Sequence, residues 1–417
     1  MNSVKQDTSV TGESDPENRS RLILGILLAR NEWPLLGMCI THALTNHVDE
    51  LLVIDHSSTD ETELGVTYLQ AKWGSRLQLM RLDKGPLHHQ ALNLVILEVL
   101  ETKRYSWIYH VDADEFLILP EKNSLKELLI ELPLDVEVVR YQLFNFIAPQ
   151  DFREDDFEQY KELTSRAVID DTVNQNFEEM ISRITNFQAS FFDIPFPSKV
   201  IYRATVDSWP IAGCHALVGS TEAKEYALGE EAIFAAHLPF LTRERLIRRA
   251  DHGKELREAG YSRDFAWQSQ IVDEMRSLGQ LEKFWNSHSI SQDYSESGKK
   301  LPQAIYDMRL VNALSITVIT FMEDFSKFKN SGENITGSSQ ERIALSSAVN
   351  SVQRMAEKKD LDLSQLRDEN FSLRSENQSI QQASFETAKR LESLHKSLSW
   401  RLTKPLRSIH RIFSFLK

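Results

Sequence analysis

Residues 109–116 read Tyr-His-Val-Asp-Ala-Asp-Glu-Phe, an apolar run that ends in two closely spaced carboxylates, Asp112 and Asp114. Where a strand runs out into a turn, both can swing towards one hard cation. Mg2+ or Mn2+ held in this way keeps open positions for phosphate oxygens. An isolated Asp-x-Asp is equally a strand end followed by an acidic turn, so its meaning depends on what surrounds it.

The chain before the motif alternates apolar runs with helical patterns. Residues 22–28 (Leu-Ile-Leu-Gly-Ile-Leu-Leu) form a continuous apolar stretch, the mark of a strand buried on both faces of a parallel sheet. Pro34 then stands where a first helical turn tolerates proline, and Leu35, Met38, Cys39, His42 and Leu44 give one helical face. Residues 51–54 predict a second strand. Ser58 with Glu61 reads as a capping box opening a helix towards Lys72. Residues 77–82 predict a third strand, residues 88–100 a helix and residues 107–111 a fourth strand. Such alternation implies a mostly parallel α/β sheet with right-handed crossovers. Asn31, Asp55, Asp83, Asp112 and Asp114 all follow carboxyl ends of these strands, the edge where open α/β sheets form their ligand crevice. Asp and Asn also favour turns, but chance would scatter five of them over both edges.

No Gly-x-Gly-x-x-Gly follows the first strand, and no phosphate loop ending in Gly-Lys-Ser/Thr occurs. Dinucleotide and P-loop readings lose their main support. A nucleotide bound here must be gripped by carboxylates and a metal.

In this setting the chain resembles the family 2 type glycosyltransferases of the GT-A fold, in the group whose metal motif reads Asp-x-Asp-Glu-Phe. Four ordered matches carry the resemblance across residues 21–120: Ala29-Arg30-Asn31-Glu32, Ile54-Asp55 with Ser58-Thr59-Asp60, Lys84-Gly85-Pro86 with Asn93, and Asp112 to Phe116. The resemblance implies a GT-A type, Rossmann-like sheet flanked by helices and a nucleotide-diphosphate sugar lying across the strand ends. It assigns Asp55 to the base, the segment around Lys84 to the base or ribose, and Asp112 and Asp114 to ribose and metal. Asn31 and Asp83 belong to the same expected nucleotide-sugar site.

Downstream, His237-Leu238-Pro239-Phe240 is followed by Arg243, Arg245, Arg248 and Arg249. It is similar to the family's late strand and basic helix, although Leu238 replaces the usual aromatic neighbour. This implies His237 as a metal or pyrophosphate contact, with His215 as a second choice, and Arg243 as a nucleotide-sugar contact. Lys199 and Arg203, in Ser-Lys-Val-Ile-Tyr-Arg, match a strand that reaches phosphate. The resemblance also implies inversion, which needs a carboxylate to take the acceptor's proton. Residues 148–193 are acidic throughout and follow no family pattern. Asp151, Glu154, Asp155 and Asp193 are the base candidates there, and Glu115 is another beside the metal motif.

The C-terminal third reads differently. Residues 261–328 are helical in pattern, and residues 329–340 are a Ser, Gly and Asn-rich linker, so that 261–340 forms a helical extension to a transferase domain at 21–260. Leu363, Asn370, Asn377, Ser384, Leu391 and Leu398 fall on one heptad position, with Leu366, Leu373, Ile380, Thr387 and Leu394 on the other. A coiled coil over 341–395 and a homo-oligomer are expected, with the asparagines setting register. Residues 396–417 hold six Lys or Arg, no acidic residue, and apolar side chains such as Trp400, Ile409, Phe413 and Phe415. That is the composition of a basic amphipathic helix lying on an anionic membrane surface.

The whole chain has 417 residues, 41% of them hydrophobic, and a net charge of -13. The charge opposes general nucleic-acid binding. Cys39 and Cys214 lack metal or redox spacing, which suits a reducing cytoplasm, and residues 1–20 are a polar, acidic tail without a signal-peptide core. The sequence therefore predicts a cytoplasmic enzyme at the inner membrane face that serves cell-surface polysaccharide assembly on a glycan or lipid-linked acceptor. Two rivals accompany it: a coiled-coil scaffold that only binds a sugar nucleotide, and a nucleotidyltransferase, which would bring a Gly-rich loop where Ala29-Arg30-Asn31-Glu32 stands.

Overall fold

A computed structural model describes residues 22–82, 104–120, 124–170, 172–173, 176–204, 209–210, 212–218, 223–263, 265–290 and 302–331. The acidic tail, Asp83, Lys84, the helix expected at 88–100, the coiled coil and the basic C-terminal helix lie outside the described residues.

The first strands form where the continuous apolar runs predict them. β1 (Ile23–Ala29), β2 (Glu50–His56) and β3 (Leu77–Leu82) pair in parallel, and β4 (Trp107–Asp112) adds in parallel on the other side of β1. α1 (Leu35–Asn46) and α2 (Thr62–Trp73) make the crossovers. The expected capping box is not formed. Glu61 stands at the N-cap with no side-chain cap, because the Ser58 hydroxyl accepts from the Asn31 backbone N–H at 2.9 Å and the Ser58 N–H donates to Asp55 Oδ1 at 3.1 Å. Ser58 thus ties two strand-end loops together instead of starting a helix.

After β4 the chain makes a tight turn into β5 (Glu115–Ile118), then α3 (Leu125–Glu131), β6 (Val138–Asn145), β7 (Ser165–Ala167), α4 (Phe177–Thr185) and β8 (Lys199–Arg203). Two short strands, β9 (Trp209–Pro210) and β10 (Leu217–Val218), form a hairpin; β11 (Glu225–Ala227) and β12 (Phe234–His237) follow. Helices α5 (Arg243–Glu258), α6 (Trp267–Ser277) and α7 (Leu281–Asn286), strand β13 (Ala304–Tyr306) and helix α8 (Arg309–Ser331) complete the described chain. The main sheet runs β3-β2-β1-β4-β8-β6-β12-β5, with β11 on β6. It is mostly parallel. β8 inserts antiparallel between β4 and β6, and β5 is antiparallel to β12. The mixed α/β class is that expected.

The core does not stop at residue 260. Leu310, Leu314, Phe321 and Phe328 of α8 are buried in the same cluster as β1 and α1, and Trp33 packs edge-on against Phe321 at 5.6 Å and Phe328 at 5.2 Å. Gly37 of α1 permits this approach, since a Cβ there would lie 2.2 Å from the Phe321 ring. Among the described residues no helix is long and apolar enough to cross a membrane.

Candidate functional site

The register of three strands assembles the central group. β5 runs antiparallel to β12 and places Glu115 opposite His237, while β12 runs parallel to β6 and places His237 opposite Asn145. Asp114 sits in the turn just before β5. Asp114, Glu115 and His237 each offer a ligand atom, all within 4.8 Å of one another. The set fits a divalent ion by its donors: two carboxylates for Mg2+ or Mn2+, with an imidazole that favours Mn2+. Asn145 supplies the outer contact. His237 Nδ1 lies 2.8 Å from Asn145 Oδ1, so Nδ1 donates there and Nε2 is the nitrogen left facing Asp114 at 3.6 Å.

Asp112 has a different partner. Lys199, buried at the first position of β8, bonds Asp112 Oδ2 at 2.5 Å and Glu115 Oε1 at 2.9 Å. Because β8 is antiparallel, its amino end lies at the carboxyl edge of the parallel strands, and this topology delivers an ammonium to the acidic cluster. Burial alone would depress the Lys199 pKa, but Asp112 and Glu115 outweigh it and push it up. Burial pushes the Asp112 carboxyl up, but the Lys199 ammonium outweighs it and holds Asp112 below its usual range. For Glu115, burial dominates and Asp112 and Asp114 add to it, so its pKa rises in spite of Lys199. Burial also pushes Asp114 up, yet His237, Arg249 and Arg245 overcome it and hold this carboxyl low. Cys39 of α1 braces the motif from below: its thiol lies 3.4 Å from the Asp112 carbonyl and 3.5 Å from that of Glu115.

Helix α5 carries cations to the same edge. Arg245 is buried and bonds Glu154 Oε1 at 2.5 Å and Oε2 at 3.1 Å, the Glu32 carbonyl at 3.1 Å, and the Glu32 carboxylate. Burial raises the Glu32 pKa in spite of Arg245. Arg249, one turn on, reaches Asp114 Oδ2 at 3.3 Å. A cavity of about 530 Å³ opens beside them, lined by Arg30, Asn31, Glu32, Arg245, Arg248 and Arg249 among others.

The remaining expected residues are dispersed. Asn31, at φ 58°, uses its side-chain carbonyl to accept the Thr59 N–H at 2.7 Å and the Asp60 N–H at 3.3 Å, so it shapes the strand-end loops that border the cavity. Asp55 is fully buried under Ser58, with Arg81 Nη1 3.6 Å from its Oδ2. Arg243 lies apart on the surface, paired with Glu282 at 2.8 Å. At 100° per residue it stands on the opposite side of α5 from Arg245 and Arg249. Arg203 is also elsewhere: four residues along β8 from Lys199, its guanidinium donates to the Val136 carbonyl at 2.7 Å and stacks on Trp107. It serves the opposite edge of the sheet. His215 contacts the Ser198 carbonyl at 3.2 Å, and burial with Lys199 nearby lowers its pKa to about 4. Among the described residues the converging cation group contains His237 and not His215.

Of the base candidates, Glu115 belongs to the cation group and Glu154 is buried on Arg245. Asp155 pairs with Arg153 on the surface, Asp193 closes a capping box with Ser190, and Asp151 is exposed in the turn after β6. Sequence reasoning left Asn145 and Glu32 without a role. Glu32 was signalled by its place beside Asn31, but nothing local marks Asn145, whose importance comes from strand pairing.

Fold and site together define an α/β protein with a strand-end crevice in which two carboxylates and an imidazole offer ligand atoms that could hold a divalent cation, beside a cavity whose lining includes several arginines. No protein-family model matches the chain, and no curated protein matches it. Among solved structures it is similar to S. aureus TarS 1–349, with 12% identity over 74% of this chain and 90% of that one, at a TM-score of 0.30. TarS 1–349 in complex with UDP gives 13% identity over 76% and 94%, also at 0.30. Glucosyl-3-phosphoglycerate synthase from Mycobacterium tuberculosis, in complex with Mn2+, UDP and glucosyl-3-phosphoglycerate, gives 15% over 56% and 78%, at 0.27. The chemistry of the site is therefore read from its own geometry.

Proposed function

We propose that this protein is a divalent-metal-dependent glycosyltransferase that moves a sugar from a nucleoside-diphosphate donor to a glycan or lipid-linked acceptor. One observation carries the reading: Asp114, Glu115 and His237 converge on one cation position next to a cavity lined by arginines. The donor set suits Mn2+ or Mg2+, and the arginines suit phosphate. A bound ion supplies positive charge against which a nucleoside diphosphate can leave. Asn145 orients His237 for that ion. Lys199 fixes Asp112 through Oδ2 while the Asp112 side chain stays 45% exposed, which leaves it free to accept from a donor hydroxyl. Arg245, Arg248 and Arg249 bring positive charge to the diphosphate side of the cavity.

Transfer with inversion needs a base on the acceptor side. Asp151 takes that role in this reading, since Glu115 sits in the cation group and Asp193 in a cap. The coiled coil and basic C-terminal helix expected from the sequence add self-association and a peripheral membrane contact, in keeping with cell-surface polysaccharide assembly.

The test is donor turnover across a panel of sugar nucleotides with Mn2+ and with chelator. Turnover is expected only with the metal, and Asp114→Ala should lower it by about 100-fold or more. Full activity of Asp114→Ala in chelator would reject the metal role, and failure to bind any sugar nucleotide would reject the enzyme reading.

A further inference from the structure

Asp114 faces two cationic demands at once. Its Oδ2 lies 3.3 Å from Arg249 Nη2 and 3.6 Å from His237 Nε2, yet the same carboxylate belongs to the group converging on a divalent ion. Arg249 also lines the cavity, with its guanidinium carbon 5.6 Å from the centre of the Phe240 ring. The helix behind it is fixed. At Gly253 a Cβ would lie 2.0 Å from the Ser269 carbonyl oxygen, so α5 and α6 meet backbone to backbone, and one turn before Arg249 the buried Arg245 is tied to Glu154 and Glu32. Any response at Arg249 must come from its side chain.

The geometry points to Arg249 as an exchangeable counter-ion. Without a divalent ion it neutralises Asp114. When Asp114 turns to an ion, two cations within a few ångströms repel each other in a partly buried site, and the Arg249 guanidinium swings into the cavity to meet the donor's diphosphate. This inference rests on the glycosyltransferase reading above. It makes metal and nucleotide binding cooperative through one side chain, and by linkage the coupling is reciprocal. The face of Phe240 offers the released cation a contact along the way.

The test compares full-length wild type, Arg249→Leu and Arg243→Leu. Arg243 is the control because it lies on the surface side of the same helix, paired with Glu282 at 2.8 Å. In Mn2+ titrations followed by the paramagnetic resonance of free ion, Arg249→Leu should bind about fivefold to tenfold tighter than wild type, having lost an internal competitor. Arg243→Leu should change by less than about twofold, since its charge is on the surface, paired with Glu282. Calorimetry with UDP as a diphosphate probe gives the second arm. In chelator Arg249→Leu should match wild type, and in saturating Mn2+ it should bind about fivefold weaker or worse, having lost one charge-assisted phosphate contact. Arg249→Gln repeats both arms with a polar side chain in case leucine disturbs packing. Equal or weaker Mn2+ binding by the Arg249 variants, or a UDP defect of the same size with and without Mn2+, overturns the exchange. Absence of Mn2+ binding by the wild type overturns the metal reading itself, and that failure is visible without any variant.

Discussion

Replacing Lys199 with methionine tests the charge balance of the site. The wild-type ammonium is 4% exposed and bonds two carboxylates, Asp112 at 2.5 Å and Glu115 at 2.9 Å. Deleting one partner of a buried ion pair costs about 3–5 kcal/mol. Two features reduce that figure. The Asp112 side chain is 45% exposed, so water screens it, and Glu115 can take up a proton once the ammonium is gone, since burial and its acidic neighbours push its pKa up. The expected loss is about 2–3 kcal/mol at pH 7.5, a fall in Tm of roughly 3–5 °C for a body of this size. The pH window follows from the directions. The folded Lys199 pKa is raised, so its contribution is present below the unfolded value of about 10.4 and fades as pH rises beyond it. The folded Asp112 pKa is lowered, so its contribution is present above about 3.8 and fades as pH falls through the folded value. Thermal melts of wild type and Lys199→Met in chelator at pH 7.5, below about pH 4 and above about pH 10.5 measure both. Equal Tm at pH 7.5, or a deficit that fails to narrow in acid, would refute Lys199 as the neutralising centre of the cluster.

Asn145→Leu removes the acceptor that orients His237, so Mn2+ affinity should drop about tenfold and stability should fall by about 1–3 kcal/mol for the buried N–H left unpaired; unchanged affinity in a Mn2+ titration would show that Asn145 does not set the ring. Burial lowers the pKa of His42 and His288 to about 4 and that of His110 to about 3. Their unfolded values lie near 6.5, so the unfolded chain takes protons first and stability falls as pH drops from about 6.5 towards 4, by on the order of 3 kcal/mol for each histidine. Urea unfolding at pH 7 and pH 5 should record the loss, and a flat profile would contradict neutral buried rings. If the basic segment touches membranes, the full chain should float with anionic liposomes and a chain ending at residue 395 should not; equal flotation would reject the anchor.

The first four strands were legible because each is a short apolar run ended by polar residues. The strand expected at 77–82 is β3 itself, and that at 107–111 extends by one residue to include Asp112. Local chemistry misled where a residue's partner lies far along the chain. Ser58 has the spacing of a cap, but its hydroxyl serves Asn31. Arg203 shares a strand with Lys199, but the length of that strand sends the two to opposite edges of the sheet. Arg243 shares a helix with Arg249, but helical periodicity turns it to the surface.

By itself the sequence determined the α/β alternation and the gathering of Asn31, Asp55, Asp112 and Asp114 at one edge, since strand period and apolar burial are local properties. Tertiary structure alone decided which groups meet there. The return of β5 against β12 sets Glu115 opposite His237, β6 sets Asn145 beside it, and the reversed β8 drives Lys199 onto Asp112. Pairing between distant strands is fixed by how their faces pack and by their register, and a one-residue slip would point each of these side chains to the other face of the sheet.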